Sequence, residues 1–96
     1  MRSLLLRPQA QLDAADAAGW YEDQRTGLGI RFLAALDHVL SRARLSPFQF
    51  PEIDPCVRRG LLPRFPYSVY FSVGADCIEV IAVLHQHRHP DTWRNR

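Results

Sequence analysis

One ten-residue run, CIEVIAVLHQ at residues 77 to 86, restricts the folds open to this chain more than any other feature. Alternate residues of an extended strand point to opposite faces of its sheet, and this run is apolar on both faces. One face would carry Ile78, Val80, Ala82 and Leu84, and the other would carry Ile81 and Val83. The run is therefore predicted to be a strand that needs cover on both sides, either from the rest of the chain, including its own tail, or from a partner.

Two helical segments precede this run and can cover one of its faces. Pro8 suits the first turn of a helix over residues 9 to 24, because the N–H that proline lacks has no partner in that turn. The apolar stripe of this helix consists of Leu12, Ala15, Gly19 and Trp20. The small residues in the stripe predict a close neighbour.

The second helix has the strongest helical pattern in the chain. Its apolar residues recur at spacings of three and four, and they are Leu28, Phe32, Leu36, Val39, Leu40 and Ala43. Thr26 is predicted to cap its N-terminus. Because only residues 25 to 27 separate the two helices, they are predicted to form a hairpin that packs through these stripes.

Three further segments have strand patterns: RSLLLR at residues 2 to 7, CVRRGLL at 56 to 62, and YSVYFSV at 67 to 73. In the last of these, Tyr67, Val69, Phe71 and Val73 share one face, and Ser68, Tyr70 and Ser72 share the other. Residues 46 to 55 contain three prolines and are predicted to be a non-helical crossover.

These elements together predict the fold class. Residues 1–96 form a single α+β domain in this prediction, since 96 residues suffice for one modest core and not for two. The domain has a short N-terminal strand and a two-helix hairpin, followed by an antiparallel β-sheet of three further strands with a short C-terminal tail.

Charge and cysteine content narrow the class of protein. The net charge is +2, and all 12 basic residues are arginine. Residues 56 to 75 hold three arginines and no acid, so the basic surface is expected in the C-terminal half. Cys56 and Cys77 lack the spacing of a disulfide framework or a zinc site. No apolar segment has the length of a signal peptide or a membrane span, so we expect a cytoplasmic protein without a membrane partner. We also expect no cofactor.

The C-terminal sequence LHQHRHPDTWRNR, residues 84 to 96, raises the question of a metal or catalytic site. We expect no metal site, because strand residues four apart are separated by roughly 13 Å. In addition, no carboxylate or cysteine completes an obvious ligand set. Acid–base cleavage of RNA is a second hypothesis, and its candidate residues are His85, His87 and Arg88.

A binding surface is the third hypothesis for this ending, and it is the one that we favour. Arginine and tryptophan are enriched in interface hot spots, and the ending supplies Arg88, Trp93, Arg94 and Arg96. In the alternative, Trp93 folds back over the core and the arginines are solvated.

Three stretches of the chain carry a family resemblance when they are taken together. They are WYEDQRTGLGIRFLAAL at residues 20 to 36, FPEIDPCVRRGLLPRFPYSVYF at 50 to 71, and IEVIAVLHQHRHPDTWRNR at 78 to 96. In this order they resemble the ParE branch of the ParE/RelE toxin superfamily, the toxin halves of bacterial toxin–antitoxin pairs. The resemblance implies an α+β fold, a cognate antitoxin encoded beside the chain, and growth arrest by the free toxin.

The superfamily hosts two activities, and the fold alone does not choose between them. RelE-like members cleave mRNA in the ribosome, whereas ParE-like members bind DNA gyrase and trap it. The RelE-like pattern has an arginine after the aromatic residue that opens the middle strand, together with basic residues and a late tyrosine. Here Ser68 follows Tyr67, lysine is absent, and the late aromatic residue is Trp93.

The sequence therefore favours a toxin that inhibits gyrase by binding it, with a ribosome-dependent mRNA endonuclease as the alternative. A toxin fold that has lost toxicity and survives as an antitoxin-binding partner is a third possibility. We expect this protein to meet nucleic acid only through its antitoxin complex.

Two sets of contact residues follow from this interpretation. The target-binding set consists of Arg58, Arg64, Arg88, Trp93, Arg94 and Arg96. The antitoxin-binding set belongs to the apolar surface that the chain is expected to leave uncovered, and it consists of Leu12, Trp20, Phe32, Leu36 and Tyr70.

Overall fold

The structure is a computed structural model that describes residues 1–87 and 92–95. Along the chain run a strand β1 (Ser3–Leu6), helices α1 (Pro8–Gln24) and α2 (Leu28–Leu45), and strands β2 (Glu52–Asp54), β3 (Val57–Leu61), β4 (Tyr67–Val73) and β5 (Cys77–His85). Short 3₁₀ helices span Pro47–Gln49 and Thr92–Asn95. The predicted α+β class and the helix hairpin are confirmed.

The five strands form one sheet in the order β1-β5-β4-β3-β2. The first strand pairs with β5 in parallel, and the remaining neighbours are antiparallel. The predicted strand count of four was wrong, because the proline-rich crossover contains β2. Pro51 and Pro55 flank this three-residue edge strand, where a missing N–H removes no ladder hydrogen bond. The crossover also contains a 3₁₀ turn that starts at Pro47.

Helix α1 buries a different stripe from the predicted one. Its buried residues are Ala10, Ala14, Ala17 and Ala18, whereas Leu12, Ala15, Gly19 and Trp20 are exposed. As predicted, small side chains of α1 face a close neighbour, which is α2. They are the four buried alanines and not the predicted stripe. A Cβ atom on Gly29 of α2 would lie 2.7 Å from the carbonyl oxygen of Ala18, so only glycine fits at this helix crossing.

Helix α2 buries the predicted stripe but starts differently. Gly27, with φ of 90°, precedes its first residue, and Thr26 makes no capping hydrogen bond to the helix among the described contacts. The carboxylate of Glu22 takes that role instead. It accepts hydrogen bonds from the backbone N–H groups of Gly27 and Gly29 at 3.0 Å each. A carboxylate at this end also complements the positive end of the helix dipole.

Strand β4 has the predicted alternation, but β5 does not. The β4–β5 ladder pairs Tyr70 with Ala82 and Phe71 with Val80, so β5 has one extra residue at this step. A bulge of this kind reverses the faces of the residues that follow it. Val83 therefore lies in the main core with Val80, while Ala82 and Leu84 join Ile81 on the opposite face, contrary to the predicted division.

The two faces of the sheet support two separate apolar clusters. The helices and the inner face enclose the main core, which includes Phe32, Val39, Phe71, Ile78 and Val80. On the outer face, Tyr70, Ile81, Ala82, Leu84 and Trp93 form a second cluster, with Ile53 and Val57 packed against it. The last strand is thus covered on both sides, and the chain's own tail covers the outer one.

A side chain of α1 completes the edge of β5 where β1 ends. β1 ends at Leu6, and beyond this point the backbone N–H of Val83 donates to the carboxylate of Asp13 at 3.0 Å. A buried backbone donor without a partner is costly, and Asp13 provides the acceptor for this one. The same bond links α1 directly to β5.

Candidate interaction surfaces

The C-terminal 3₁₀ helix is packed onto the outer face of the sheet. The Trp93 ring stacks on the Tyr70 ring with centroids 5.5 Å apart and planes 20° apart, and Trp93 is only 6% exposed. Arg94 lies 4.9 Å from the Trp93 ring centroid, and its Nε is 3.4 Å from Oδ2 of Asp54 in β2. The alternative in which Trp93 folds back over the core is therefore the one that the structure has.

The packing of the tail revises the predicted target-binding set. Trp93 has almost no free surface to offer a target, whereas Arg94 and Arg64 are exposed. Arg88 and Arg96 lie outside the described residues. Arg58 is half-buried and faces the helix side of the sheet, where it donates to the carbonyl oxygen of Phe50 at 2.7 Å. The predicted set is therefore not a single continuous surface among the described residues.

The two described histidines of the ending are close together. Nδ1 of His85 accepts a hydrogen bond from the backbone N–H of His87 at 3.0 Å, and the two rings stack with centroids 5.0 Å apart. His85 also packs edge-to-face on Tyr67 at 5.2 Å. Within residues 1–87 and 92–95, no three His, Cys, Asp or Glu side chains are placed to hold a metal ion.

The predicted antitoxin-binding residues divide into exposed and buried groups. Leu12 and Trp20 are each more than half exposed on α1. By contrast, Phe32, Leu36 and Tyr70 are buried by the chain itself, so the expectation that they lie on an uncovered surface was wrong. The first two point into the helix–sheet core, and Tyr70 lies beneath Trp93.

Besides Leu45 at its C-terminal end, α2 exposes two large apolar side chains that sequence analysis missed. Ile30 and Leu33 of α2 are 74% and 45% exposed. Both lie off the main apolar stripe of α2, and this off-stripe position is the signal that could have identified them. Together with Leu12 and Trp20 they make up the apolar residues that we call the hairpin surface.

A groove of ≈ 1050 Å³ runs between α2 and the β3–β4 connection. It is lined by Tyr21, Leu28, Arg31, Ala34, Ala35, His38, Pro63, Arg64, Phe65 and Pro66. Basic side chains and apolar surface dominate the lining, which contains no carboxylate. Burial, and secondly the nearby Tyr67, raise the pKa of Tyr21, so its hydroxyl remains a hydrogen-bond donor at neutral pH.

In the part of the chain that the structure describes, no helix is both long enough and apolar enough to span a bilayer. No family model matches this sequence. A search of curated proteins gave no match either.

One similar solved structure is the chromosomal ParDE TA (toxin–antitoxin) system from P. aeruginosa. A chain of that structure superposes on this one with a TM-score of 0.77 and 20% sequence identity, over 88% of this chain and 96% of that chain. At this identity the likeness concerns the fold. The chain therefore has the fold of a ParDE system chain, which confirms the ParE-like fold that the sequence resemblance predicted.

Proposed function

We propose that this chain is the toxin of a toxin–antitoxin pair and that it arrests growth by binding DNA gyrase. The observation that carries the proposal is the fold shared with a chain of the ParDE system, at a TM-score of 0.77 over most of both chains. The ParE-like sequence pattern along nearly the whole chain agrees with it. In this proposal a cognate antitoxin neutralises the toxin by covering its exposed apolar surface.

Two positions support inhibition by binding over catalysis. Ser68 stands where the RelE-like pattern has an arginine, and it is only 2% exposed. Trp93 stands in place of the late tyrosine, and its ring is stacked on Tyr70. An indole has no acidic or basic group for proton transfer near neutral pH, and neither side chain is open to a substrate.

The alternative, a ribosome-dependent mRNA endonuclease, is favoured by the adjacent imidazoles of His85 and His87. Their ring centroids are 5.0 Å apart, and His87 is exposed. Two neighbouring imidazoles can supply a general acid and a general base. In this arrangement Nδ1 of His85 already accepts from the His87 backbone N–H, and Nε2 has no hydrogen bond among the described residues.

Antitoxin binding is proposed to use the hairpin surface and the neighbouring groove. The exposed side chains of Leu12, Trp20, Ile30 and Leu33 offer apolar area to a partner. An amphipathic helix packed on this face would bury that area, a recurrent mode of peptide recognition. The matched test compares Leu33→Asp with Leu61→Asp, the same change at an exposed position of β3 outside the hairpin. Only Leu33→Asp should weaken a co-purified antitoxin complex.

Induced expression without the antitoxin tests the proposed function in cells. We expect growth arrest with gyrase-linked DNA damage and cell elongation, while bulk mRNA persists. Rapid mRNA loss before any DNA damage would favour the endonuclease alternative. Unimpaired growth at high expression of the folded chain would favour a fold that has lost toxicity.

A further inference from the structure

A patch of apolar and basic residues surrounds the C-terminal end of α2. Three of its side chains are exposed and apolar: Met1 at 83%, Leu45 at 63% and Phe48 at 62%. Its four arginines are Arg2, Arg42, Arg44 and Arg58. We call these seven residues the Phe48 patch. None of the sites described above uses this patch as a unit.

Direct contacts join the members of the patch. The guanidinium carbons of Arg2 and Arg58 lie 5.3 Å and 5.0 Å from the centroid of the Phe48 ring. Met1 and Leu45 line a shallow depression together with Arg2 and Arg44. Six of the seven residues are thus linked, and Arg42 lies in the last turn of α2 with its guanidinium carbon 5.2 Å from the Phe50 ring centroid.

The arginines of the patch are fixed in place without being neutralised. Each donates to a neutral oxygen: Arg2 to Gly74 O at 3.0 Å, Arg42 to Gln49 Oε1 at 3.3 Å, Arg44 to Arg2 O at 2.9 Å and Arg58 to Phe50 O at 2.7 Å. Among the described residues, none of the four forms an ion pair, whereas Arg7 and Arg94 each pair with a carboxylate. The patch therefore carries uncompensated positive charge.

The helix dipole of α2 accounts for two of the four arginines in the patch and does not account for the other two. Arg42 and Arg44 lie in the last turn of α2, where a cation complements the negative end of the helix dipole. Arg2 directly precedes β1 and Arg58 lies in β3, so the helix dipole does not account for either of them. The acids at the border are Asp76, which lines the depression, and Glu52, which is the ladder partner of Arg58. Neither forms an ion pair with the patch in the described structure.

We propose that the Phe48 patch binds an acidic protein segment that carries apolar anchor residues. Arginine binds carboxylates through two parallel hydrogen bonds, and a guanidinium already held by a backbone carbonyl loses less side-chain freedom on binding. Phe48 and Leu45 provide the apolar contact for the anchors. The inference goes beyond the proposed function, because it does not require gyrase to be the partner.

The apolar side chains decide between an acidic protein segment and a nucleic acid. Protein interfaces are enriched in aromatic residues, methionine and arginine together. A nucleic acid would contact the arginines through its phosphate groups. Met1 and Leu45 would then face phosphates and sugars and would have no apolar partner. The mixed character of the patch therefore favours a protein partner.

Fluorescence anisotropy with the full chain tests this inference. The probe is a labelled twelve-residue peptide of glutamate and aspartate with two leucines and a phenylalanine, and its control has lysine in place of each acid. We expect only the acidic peptide to bind, and its affinity to fall as salt rises. Arg2→Gln and Phe48→Ala should each weaken binding about tenfold. Arg25→Gln, which changes the exposed C-cap arginine of α1, should leave the affinity within about twofold.

Three outcomes would overturn the inference. They are no binding of the acidic peptide, equal loss in all three variants, and tighter binding of a 20-base-pair DNA duplex through the same residues. Circular dichroism of each variant verifies that a loss of affinity does not reflect unfolding. Gyrase supercoiling measured on the same proteins separates the two proposals, since peptide binding without gyrase inhibition would contradict the proposed function alone.

Discussion

The indole of Trp93 lies flat against the phenol ring of Tyr70, so the C-terminal tail forms part of the fold. Without it, the outer face of the sheet would expose Tyr70, Ile81 and Leu84. An apolar area of that size on a small protein would need another cover. The tail thus covers the outer face of the sheet, which a partner protein would otherwise have to cover.

Trp93→Ala is expected to lower the free energy of unfolding by about 3 kcal/mol, because it removes a buried aromatic ring and leaves the second cluster open. Arg94→Ala is the control. Its ion pair with Asp54 is partly exposed, and its loss should cost less than about 1 kcal/mol. Urea unfolding of the wild type and the two variants measures both changes in unfolding free energy. Equal, small losses for the two variants would contradict a structural role for Trp93.

Gly29→Ala and Gly19→Ala are expected to have opposite effects on stability. The new methyl group at position 29 would lie 2.7 Å from the Ala18 carbonyl oxygen, and the strain should cost about 1–3 kcal/mol. At position 19 nothing lies within 4 Å, and alanine favours a helix over glycine by about 0.5–1 kcal/mol. Thermal unfolding compares the pair. A stabilised Gly29→Ala protein would rule out the close helix crossing.

Glu22→Ala is expected to destabilise the protein by about 1 kcal/mol, since it removes the acceptor for the N–H groups of Gly27 and Gly29. Asp23→Ala removes a neighbouring exposed carboxylate that has no described hydrogen bond, and it should cost less than about 0.5 kcal/mol. Urea unfolding of both variants at neutral pH measures the difference. If the two changes cost the same, Glu22 is not the cap of α2.

The Arg7–Glu79 pair predicts a pH dependence of modest size. The hydrogen bond from Arg7 lowers the pKa of Glu79 below its ordinary value of 4.5. This stabilisation is complete above pH 4.5 and is lost as the pH falls through the lowered pKa of the folded state. Because both side chains are about one-third exposed, Glu79→Gln should cost less than about 1 kcal/mol at neutral pH.

The check is the difference in unfolding free energy between wild type and Glu79→Gln, measured from pH 7 downward. It should shrink once the pH falls below 4.5. Asp16→Asn, at an exposed position on α1 with no described ion pair, serves as the control. A difference that stays constant over the whole range would show that the pair does not stabilise the fold.

Strong periodic patterns in the sequence predicted the corresponding elements correctly. The apolar spacing of α2 and the alternation of β4 each contrast with more polar residues on the other face, so the side that faces the main core could be identified. In α1 both stripes contain alanine, and the contrast was too weak to choose between them. β5 is apolar on both faces, so its pattern could not reveal the bulge near Ile81.

The candidate sites were harder to predict for a related reason. A tryptophan near the end of a chain is compatible with an interface and with a core. Its stacking on Tyr70, which the sequence does not reveal, places Trp93 in the core. The arginines of the Phe48 patch are spread over residues 2 to 58, and only the topology brings them to one end of α2.

A gyrase supercoiling assay with the purified chain is the most direct test of the proposal that this protein acts by binding gyrase and not by cleaving RNA. Increasing amounts of the wild-type protein should inhibit supercoiling in a saturable way, and a parallel ribosome-dependent assay should show intact mRNA. Loss of mRNA that disappears in His85→Ala or His87→Ala, with supercoiling unaffected by the wild type, would contradict the account.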